Sequence, residues 1–131
     1  MLIAKELNPK NHPTTPEQAK NLGILLTKAN IIRASWGKPM TVTSGLRTWD
    51  EHVEIYKKKL GADYSEDKVP KGSKHLVGAA VDIADPSGDL YDWLQRTGVL
   101  KSSGLYCELG TKGWVHFQSL PPASGKTWFL P

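Results

Sequence analysis

Three side chains of the types that ligate metals stand in two short segments of the chain. GSKHLVGAAVDIAD carries His75 and Asp82, and WVHFQ carries His116. Two imidazoles and one carboxylate leave a coordination position open, which is typical of catalytic rather than structural zinc sites. The single cysteine, Cys107, excludes an intramolecular disulfide and a thiolate cage, so a metal site must use histidine and carboxylate.

Asp82 interrupts an apolar run that is predicted to form a buried strand over 78–84. Alternation turns one apolar set to the core and places Asp82, between two alanines, on the other face. The core set is Ala79, Val81 and Ile83. An acid on a covered face is costly unless it is paired or bound to a cation. Taken alone, Asp82 is as well explained by capping a turn or by pairing with Arg47.

His116 lies in a second predicted strand, over 114–118, to which the same argument from alternation applies. Val115 and Phe117 form its core set, and the other face carries Trp114, His116 and Gln118. Each strand therefore presents one ligand-type side chain opposite a packed face. Trp114 is either a wall of the site or an ordinary core residue.

A metal hydrolase also needs a base near its water, and Glu108 is the only acid in the strand before His116. The hairpin register decides whether it reaches the site. If Leu109 pairs with Trp114, Glu108 falls on the face opposite His116. If residues 109–113 form a five-residue loop, Glu108 pairs with Trp114 and shares that face. A catalytic Glu108 thus predicts an odd-length loop or a bulge.

Two further polar residues are candidates for substrate contacts. Arg47 ends the segment SGLR just before a helix N-cap, and its guanidinium suits the capture of a carboxylate or the support of an oxyanion. Ser73 precedes the first histidine of the set by two residues and can hydrogen-bond a substrate carboxylate or a ligand. No role is assigned to His52, and Cys107 is predicted to be a small core residue.

The elements that must position these residues follow from local signals. The capping boxes TPEQ and TWDE predict two helices, beginning after Thr15 and Thr48 and closed by WGKP and Gly61, and a third is predicted over 87–97. Strands are predicted at 40–45, 78–84, 104–109 and 114–118, with an extended lead-in at 1–13, a polar loop at 62–72 and an irregular tail at 119–131. The order α-β-α-β-α-β-β predicts an α+β fold, with about three helices covering one side of a small, mostly antiparallel sheet.

Composition narrows the possible partners. A chain of 131 residues suits one domain over 1–131, and contents of 39% hydrophobic and 23% charged residues are ordinary for a globular protein. The net charge of +4 comes without a nucleic-acid-binding signature, so no nucleic-acid partner is predicted, while mild basicity suits an anionic polymer such as peptidoglycan. No apolar run approaches the roughly 20 residues of a membrane span. The apolar stretch in the N-terminal segment MLIAKELNPKNHP is too short for a signal peptide.

The motifs together resemble the zinc D-Ala-D-Ala metallopeptidase family. SGLR, SKHLVGAAVD, Glu108 and WVH occur in the order of that family, which includes DD-carboxypeptidases, D-Ala-D-Ala dipeptidases and phage L-alanyl-D-glutamate endolysins, and which shares its fold with the Hedgehog signalling domain. The central element S-x-H-x-x-G-x-A-x-D is matched in full by Ser73, His75, Gly78, Ala80 and Asp82. Glu108 lies farther from His116 than in the family, with GTKG lengthening the hairpin tip.

The resemblance implies a fold, a cofactor and a role for each motif residue. The fold would be Hedgehog/DD-peptidase-like, with one Zn²⁺ per chain. The implied zinc ligands are His75, Asp82 and His116. Glu108 would be the catalytic base and Arg47 would steady the substrate carbonyl or carboxylate, with Ser73 and Trp114 as further substrate contacts.

The function expected from this resemblance is a zinc peptidase that cleaves peptidoglycan stem peptides, either an endolysin-type endopeptidase at L-Ala-D-Glu or a DD-carboxypeptidase. We expect a monomer that is made in the host cytoplasm and acts on the wall after release. Two alternatives stay open: a non-catalytic zinc module of the same fold that binds wall or protein, and an iron(II) oxygenase with the same ligand set. Such oxygenases usually have larger all-β folds, which three helices in 131 residues argue against.

Overall fold

Five strands form one sheet at the centre of the protein. The structure is a computed structural model that describes residues 1–131. The strands are β1 (Val42–Ser44), β2 (Ala80–Asp85), β3 (Tyr106–Glu108), β4 (Gly113–Gln118) and β5 (Trp128–Phe129). They are ordered β1-β2-β4-β3-β5, and every neighbouring pair is antiparallel except β3 and β5. The predicted α+β class and the mostly antiparallel sheet are confirmed.

Five α-helices accompany the sheet, three of them at the predicted places. The helices are α1 (Ala4–Leu7), α2 (Pro16–Trp36), α3 (Trp49–Leu60), α4 (Asp89–Arg96) and α5 (Val99–Ser103). Both predicted capping boxes form, because the hydroxyls of Thr15 and Thr48 each accept a hydrogen bond from the backbone N–H three residues on, and their own backbone N–H groups each donate one to the side chain of that residue. No helix combines the length and apolar character needed to cross a membrane.

The two ends of the chain are more regular than their sequences predicted. The lead-in at 1–13 was expected to be extended, yet it contains α1, which forms because Leu2 and Leu7 bury their side chains in the core. The tail at 119–131 was expected to be irregular, yet it contains β5. A strand of two residues has no alternation to detect, and it is fixed by tertiary pairing with β3. The polar loop at 62–72 includes two 3₁₀ turns.

The core lies on one face of the sheet, under α2, α4 and α5. Val81, Ile83, Val115 and Phe117 are all fully buried there, as alternation predicted, and Cys107 lies among them. Burial of each large apolar side chain stabilises the fold by about 1.5–3 kcal/mol. The core cluster includes no residue of α3. The prediction that the helices cover one side therefore fails for α3, which lines the cleft over the opposite face.

Gly45 is predicted to be intolerant of any side chain, because α1 packs directly on its backbone. A Cβ atom at Gly45 would overlap the carbonyl group of Leu7, whose oxygen accepts a hydrogen bond of 2.8 Å from the Leu46 backbone. We expect Gly45→Ala to lower the free energy of unfolding by about 1–3 kcal/mol, as overpacking does. Urea unfolding measures this change in the free energy of unfolding. Gly23→Ala is the matched control, since that site in α2 has open space around it, and it should stabilise by about 0.5–1 kcal/mol. Equal stability of Gly45→Ala and wild type would contradict the docking of α1.

Candidate metal centre

The structure brings His75, Asp82 and His116 together. Asp82 in β2 lies directly opposite His116 in β4, so the predicted sharing of one face is confirmed. Asp82 Oδ1 is 2.9 Å from His116 Nδ1 and 3.3 Å from His75 Nε2. One ligand-type atom from each residue lies within 4.8 Å of the others. His75 and Asp82 are buried, and the His116 side chain is 12% exposed.

His75 reaches the two strands from a 3₁₀ turn, Lys74–Val77, that precedes β2. Gly78 ends this turn with φ of 77°, and a Cβ atom there would lie 2.9 Å from the Gln18 carbonyl oxygen of α2. The side-chain amides of Gln18 and Asn21 each donate a 2.9 Å hydrogen bond to a carbonyl of the turn. Helix α2 therefore holds the turn that carries the first histidine.

An oxygen acceptor fixes the outer nitrogen of each histidine. His75 Nδ1 lies 2.9 Å from the Gly45 carbonyl oxygen, and His116 Nε2 lies 2.9 Å from Gln118 Oε1. The Gln118 amide nitrogen donates to the Leu120 carbonyl, which leaves its oxygen for His116. Because these oxygens only accept, the outer nitrogens carry the protons of the neutral imidazoles. The inner nitrogens, His75 Nε2 and His116 Nδ1, then keep their lone pairs.

Lone pairs from all three residues therefore face one another within 4.8 Å. With both imidazoles neutral, Asp82 Oδ1 would face two acceptors, an arrangement that needs a cation between them, either a proton or a metal ion. Ligand atoms bound tetrahedrally at 2.0–2.1 Å are about 3.3 Å apart. The observed separations of 2.9 and 3.3 Å from Asp82 Oδ1 are close to that value. The donor set thus fits a metal ion.

The electrostatics of the cluster favour a proton on His116 over one on His75. Burial disfavours the charged form of His116, but the hydrogen bond and charge of Asp82 outweigh burial and raise the pKa of this imidazole. Burial likewise opposes ionisation of Asp82, yet the hydrogen bond from His116 and the contact with His75 hold the pKa of the carboxyl well below its usual range. For His75, burial prevails over Asp82 and lowers the pKa. A metal ion must displace the proton on His116.

Arg47 contacts the cluster from the side of β1. Its backbone nitrogen donates to the His75 carbonyl at 3.1 Å, its Nε donates to Ser44 Oγ at 3.0 Å, and its Nη2 lies 3.4 Å from Asp82 Oδ2. Asp82 therefore pairs with Arg47 through one oxygen while the other faces the histidines. The ion pair with Arg47 and the place in the cluster, which the sequence left as alternatives for Asp82, therefore both occur.

A cleft of about 700 Å³ opens over the cluster. Besides the three residues of the cluster, it is lined by the other candidates named from the sequence: Arg47, Ser73, Glu108 and Trp114. A second cavity of about 680 Å³, between α1 and α2, contains no group of metal-ligating side chains. All the sequence-derived site residues thus share one cleft.

Glu108 lies on the same face of the sheet as His116. Tyr106 pairs with Gln118 and Cys107 with Phe117, a register that places Glu108 opposite His116. Residues 109–115 then lie between the two, an odd number, which is the parity that a base at Glu108 requires. This register differs from both registers considered from the sequence, because Glu108 lies opposite His116, two residues beyond Trp114.

Ser73 and Trp114 lie at the edge of the cluster. Ser73 Oγ accepts a 3.4 Å hydrogen bond from the His75 backbone nitrogen, so its hydroxyl caps the turn as well as lining the cleft. Trp114 is half-buried, and its ring stands edge-on to His116 at 6.4 Å between centroids. Trp114 is therefore a wall of the cleft rather than part of the core.

Sequence reasoning missed two residues of the site. Gln118 fixes His116, and its place on the same face two residues along β4 was the available signal. His52 is fully buried and contacts Arg47, yet a histidine inside a helix has no pattern that separates it from packing.

Comparisons with known proteins give no match: no family model, no curated protein and no solved structure matches this chain. The fold and the site therefore define the protein class by themselves. It is an α+β domain whose sheet carries a buried cluster of two histidines and one aspartate at the floor of an open cleft.

Proposed function

We propose that the protein is a zinc-dependent peptidase that hydrolyses peptide bonds in peptidoglycan stem peptides, as an L-Ala-D-Glu endopeptidase or a DD-carboxypeptidase. One observation carries this proposal. The three-residue donor set has its open side in a cleft that also holds a carboxylate, Glu108, and a guanidinium, Arg47. Metal ligands, a base and a cationic group are the parts that metal-assisted hydrolysis needs. The sequence resemblance supports the choice of peptidoglycan as substrate.

Zinc is favoured over iron by the architecture around the donor set. Two imidazoles and one carboxylate also suit iron(II), but the oxygenases with that set are usually all-β jelly rolls. Here the set lies on a five-stranded sheet with α-helices on both sides. Bound zinc polarises a carbonyl oxygen and lowers the pKa of its water to roughly 7.

Glu108 and Arg47 would divide the remaining chemistry. From the same face as His116, the Glu108 carboxylate accepts a proton from the attacking water and passes it to the leaving amine. Arg47 donates hydrogen bonds to the substrate oxygen on which negative charge develops. Lys59, Lys71 and Lys74 also line the cleft, and this positive wall suits an anionic peptide.

Mass spectrometry of fragments from purified peptidoglycan tests the proposal. The zinc-loaded protein should release peptides with new amino termini, and the fragment masses identify the bond. Failure to release amino groups while zinc is bound at full occupancy would defeat the peptidase.

A non-catalytic zinc module that binds the wall is the second candidate. One observation favours it: the guanidinium of Arg47 is already engaged by Asp82, His52 and Ser44. In that case the protein binds both peptidoglycan and zinc, and the loss of Glu108 changes the affinity for neither of them.

Gln118 is expected to tune zinc affinity through His116. Gln118→Ala removes the acceptor that fixes the His116 ring, so zinc affinity should fall about 10- to 100-fold. Gln118→Glu loses the donation to the Leu120 carbonyl, as the alanine variant does, but keeps an oxygen that accepts from His116, so its affinity should stay near that of the wild type. Competition with a chromophoric chelator measures both. Equal affinity of the alanine variant and wild type would show that the ring needs no such support.

Zinc affinity should increase with pH, because zinc displaces the proton on His116. Below the raised pKa of His116, the apparent affinity should change about tenfold per pH unit and about one proton should be released per ion. Above that pKa the dependence levels off. The Asp82 carboxylate, with its lowered pKa, adds to the slope only at far lower pH. Calorimetric titration in buffers of different ionisation enthalpy counts the protons. A flat profile would contradict the placement of the proton.

A further inference from the structure

His52 lies behind Arg47, on the side away from the cleft. Its side chain is fully buried in α3, with Nδ1 3.3 Å from Arg47 Nη1 and Nε2 2.8 Å from the Pro70 carbonyl oxygen. The rings of Trp49 and Tyr56 pack on it, at 5.9 and 5.0 Å between centroids. The imidazole is therefore held by two aromatic rings and through both of its nitrogens.

The two contacts of His52 define its tautomer. The Pro70 carbonyl can only accept, so Nε2 carries the proton. Nδ1 then has a lone pair directed at Arg47, whose guanidinium can only donate. Each nitrogen of that guanidinium thus has its own acceptor: Ser44 Oγ for Nε, His52 Nδ1 for Nη1 and Asp82 Oδ2 for Nη2.

We propose that His52 is a positioning residue, which aims the guanidinium of Arg47 at the oxygens of the metal centre and its substrate. The inference rests on the proposed function in one respect, that Arg47 acts on the substrate. The contact with Asp82, at 3.4 Å, is the longest of the three, and it is the one that faces the cleft. A substrate oxygen can replace Asp82 there while Ser44 and His52 keep the guanidinium in place.

The energetic reason for such a support is the flexibility of arginine. Its side chain costs about 2 kcal/mol of rotamer entropy to fix, and a misplacement of about 1 Å in a reacting group costs roughly 100-fold in rate. Helix α3 and the Pro70 segment supply this fixation from outside the core. His52 links them to the cleft without itself lining it.

Three substitutions separate the contacts of His52. His52→Asn places an amide oxygen near the position of Nδ1 and keeps the acceptor for Arg47. His52→Gln reaches the position of Nε2 and keeps the contact with Pro70 alone, and His52→Leu keeps neither. Zinc content and thermal melting establish that each variant is folded and loaded.

The first readout is NMR of the arginine guanidinium groups in ¹⁵N-labelled protein, which requires no turnover. Wild type and His52→Asn should show resolved, slowly rotating Nη signals for Arg47, assigned by their absence in Arg47→Ala. In His52→Leu and His52→Gln these signals should average. Unchanged signals in the leucine and glutamine variants would overturn the proposal.

The second readout is peptidoglycan hydrolysis. His52→Leu should lower kcat about 10- to 100-fold with KM changed by less than about threefold, and His52→Asn should restore most of kcat. In the Arg47→Ala background, His52→Leu should have no further effect, because the two residues act as a unit. Additive losses would overturn the proposal. If the wild type shows no turnover, the proposed function fails and the NMR readout decides on His52 alone. If the leucine variant does not fold, the asparagine and glutamine variants decide both readouts.

Discussion

Glu108→Gln should abolish peptidoglycan cleavage and leave zinc in place. The amide has the size of the carboxylate but cannot accept a proton from water, so turnover should fall about 10²- to 10⁴-fold. Glu108 lies on β3 opposite His116 and makes no contact that holds the cluster together, so zinc content should stay at that of the wild type. The release of amino groups and the bound zinc are measured on the same sample.

Glu66→Gln is the matched control for this change. It removes one negative charge from an exposed acid in the polar loop and should have wild-type turnover. Full activity of Glu108→Gln would exclude Glu108 as the base. The binding module would be favoured if the wild type and Glu108→Gln both hold zinc and both bind peptidoglycan without cleaving it.

Asp82→Asn should have the largest effect on zinc itself. The substitution replaces the only anionic donor of the cluster with a neutral amide, so zinc affinity should fall by more than the roughly 10- to 100-fold expected for Gln118→Ala. The fold should persist, because an amide NH₂ at this position can donate to the lone pairs of His75 and His116. Zinc titration and circular dichroism separate loss of the metal from loss of the fold.

Asp92→Asn provides the control for charge, since Asp92 is exposed on α4 and away from the cleft. It should bind zinc as the wild type does. Wild-type zinc affinity in Asp82→Asn would remove the aspartate from the donor set and leave only two histidines, too few for the site that we describe.

Alternation along β2 and β4 was enough to predict the floor of the site. The set Ala79, Val81 and Ile83 needs a core, and this requirement alone turns Asp82 to the opposite face. The same argument for β4 placed His116 there. Strong local signals, such as the capping boxes at Thr15 and Thr48, predicted where α2 and α3 begin.

Features that depend on tertiary contact were not predictable from these patterns. Of the partners of Arg47, Ser44 and His52 are near in sequence but lie on the strand and the helix at either side of it, and Asp82 is distant. Only the folded path of the chain brings the three together, and no periodic spacing indicates it. The register of β3 on β4 was open, because it depends on the long tip and on β5, a strand of two residues. His52 follows the same rule, since its role comes from the contact of α3 with Arg47 and Pro70.

Titration of the metal-stripped protein with Zn²⁺ is the most direct test of the metal centre. The account predicts one tightly bound ion per chain, with that binding lost in a variant that carries both His75→Ala and His116→Ala. Because the chain has one buried cysteine, Cys107, with its thiol pKa raised by burial, no thiolate can take over the ion. An absence of zinc binding in the wild type, or one equally tight ion in the double variant, would contradict the account.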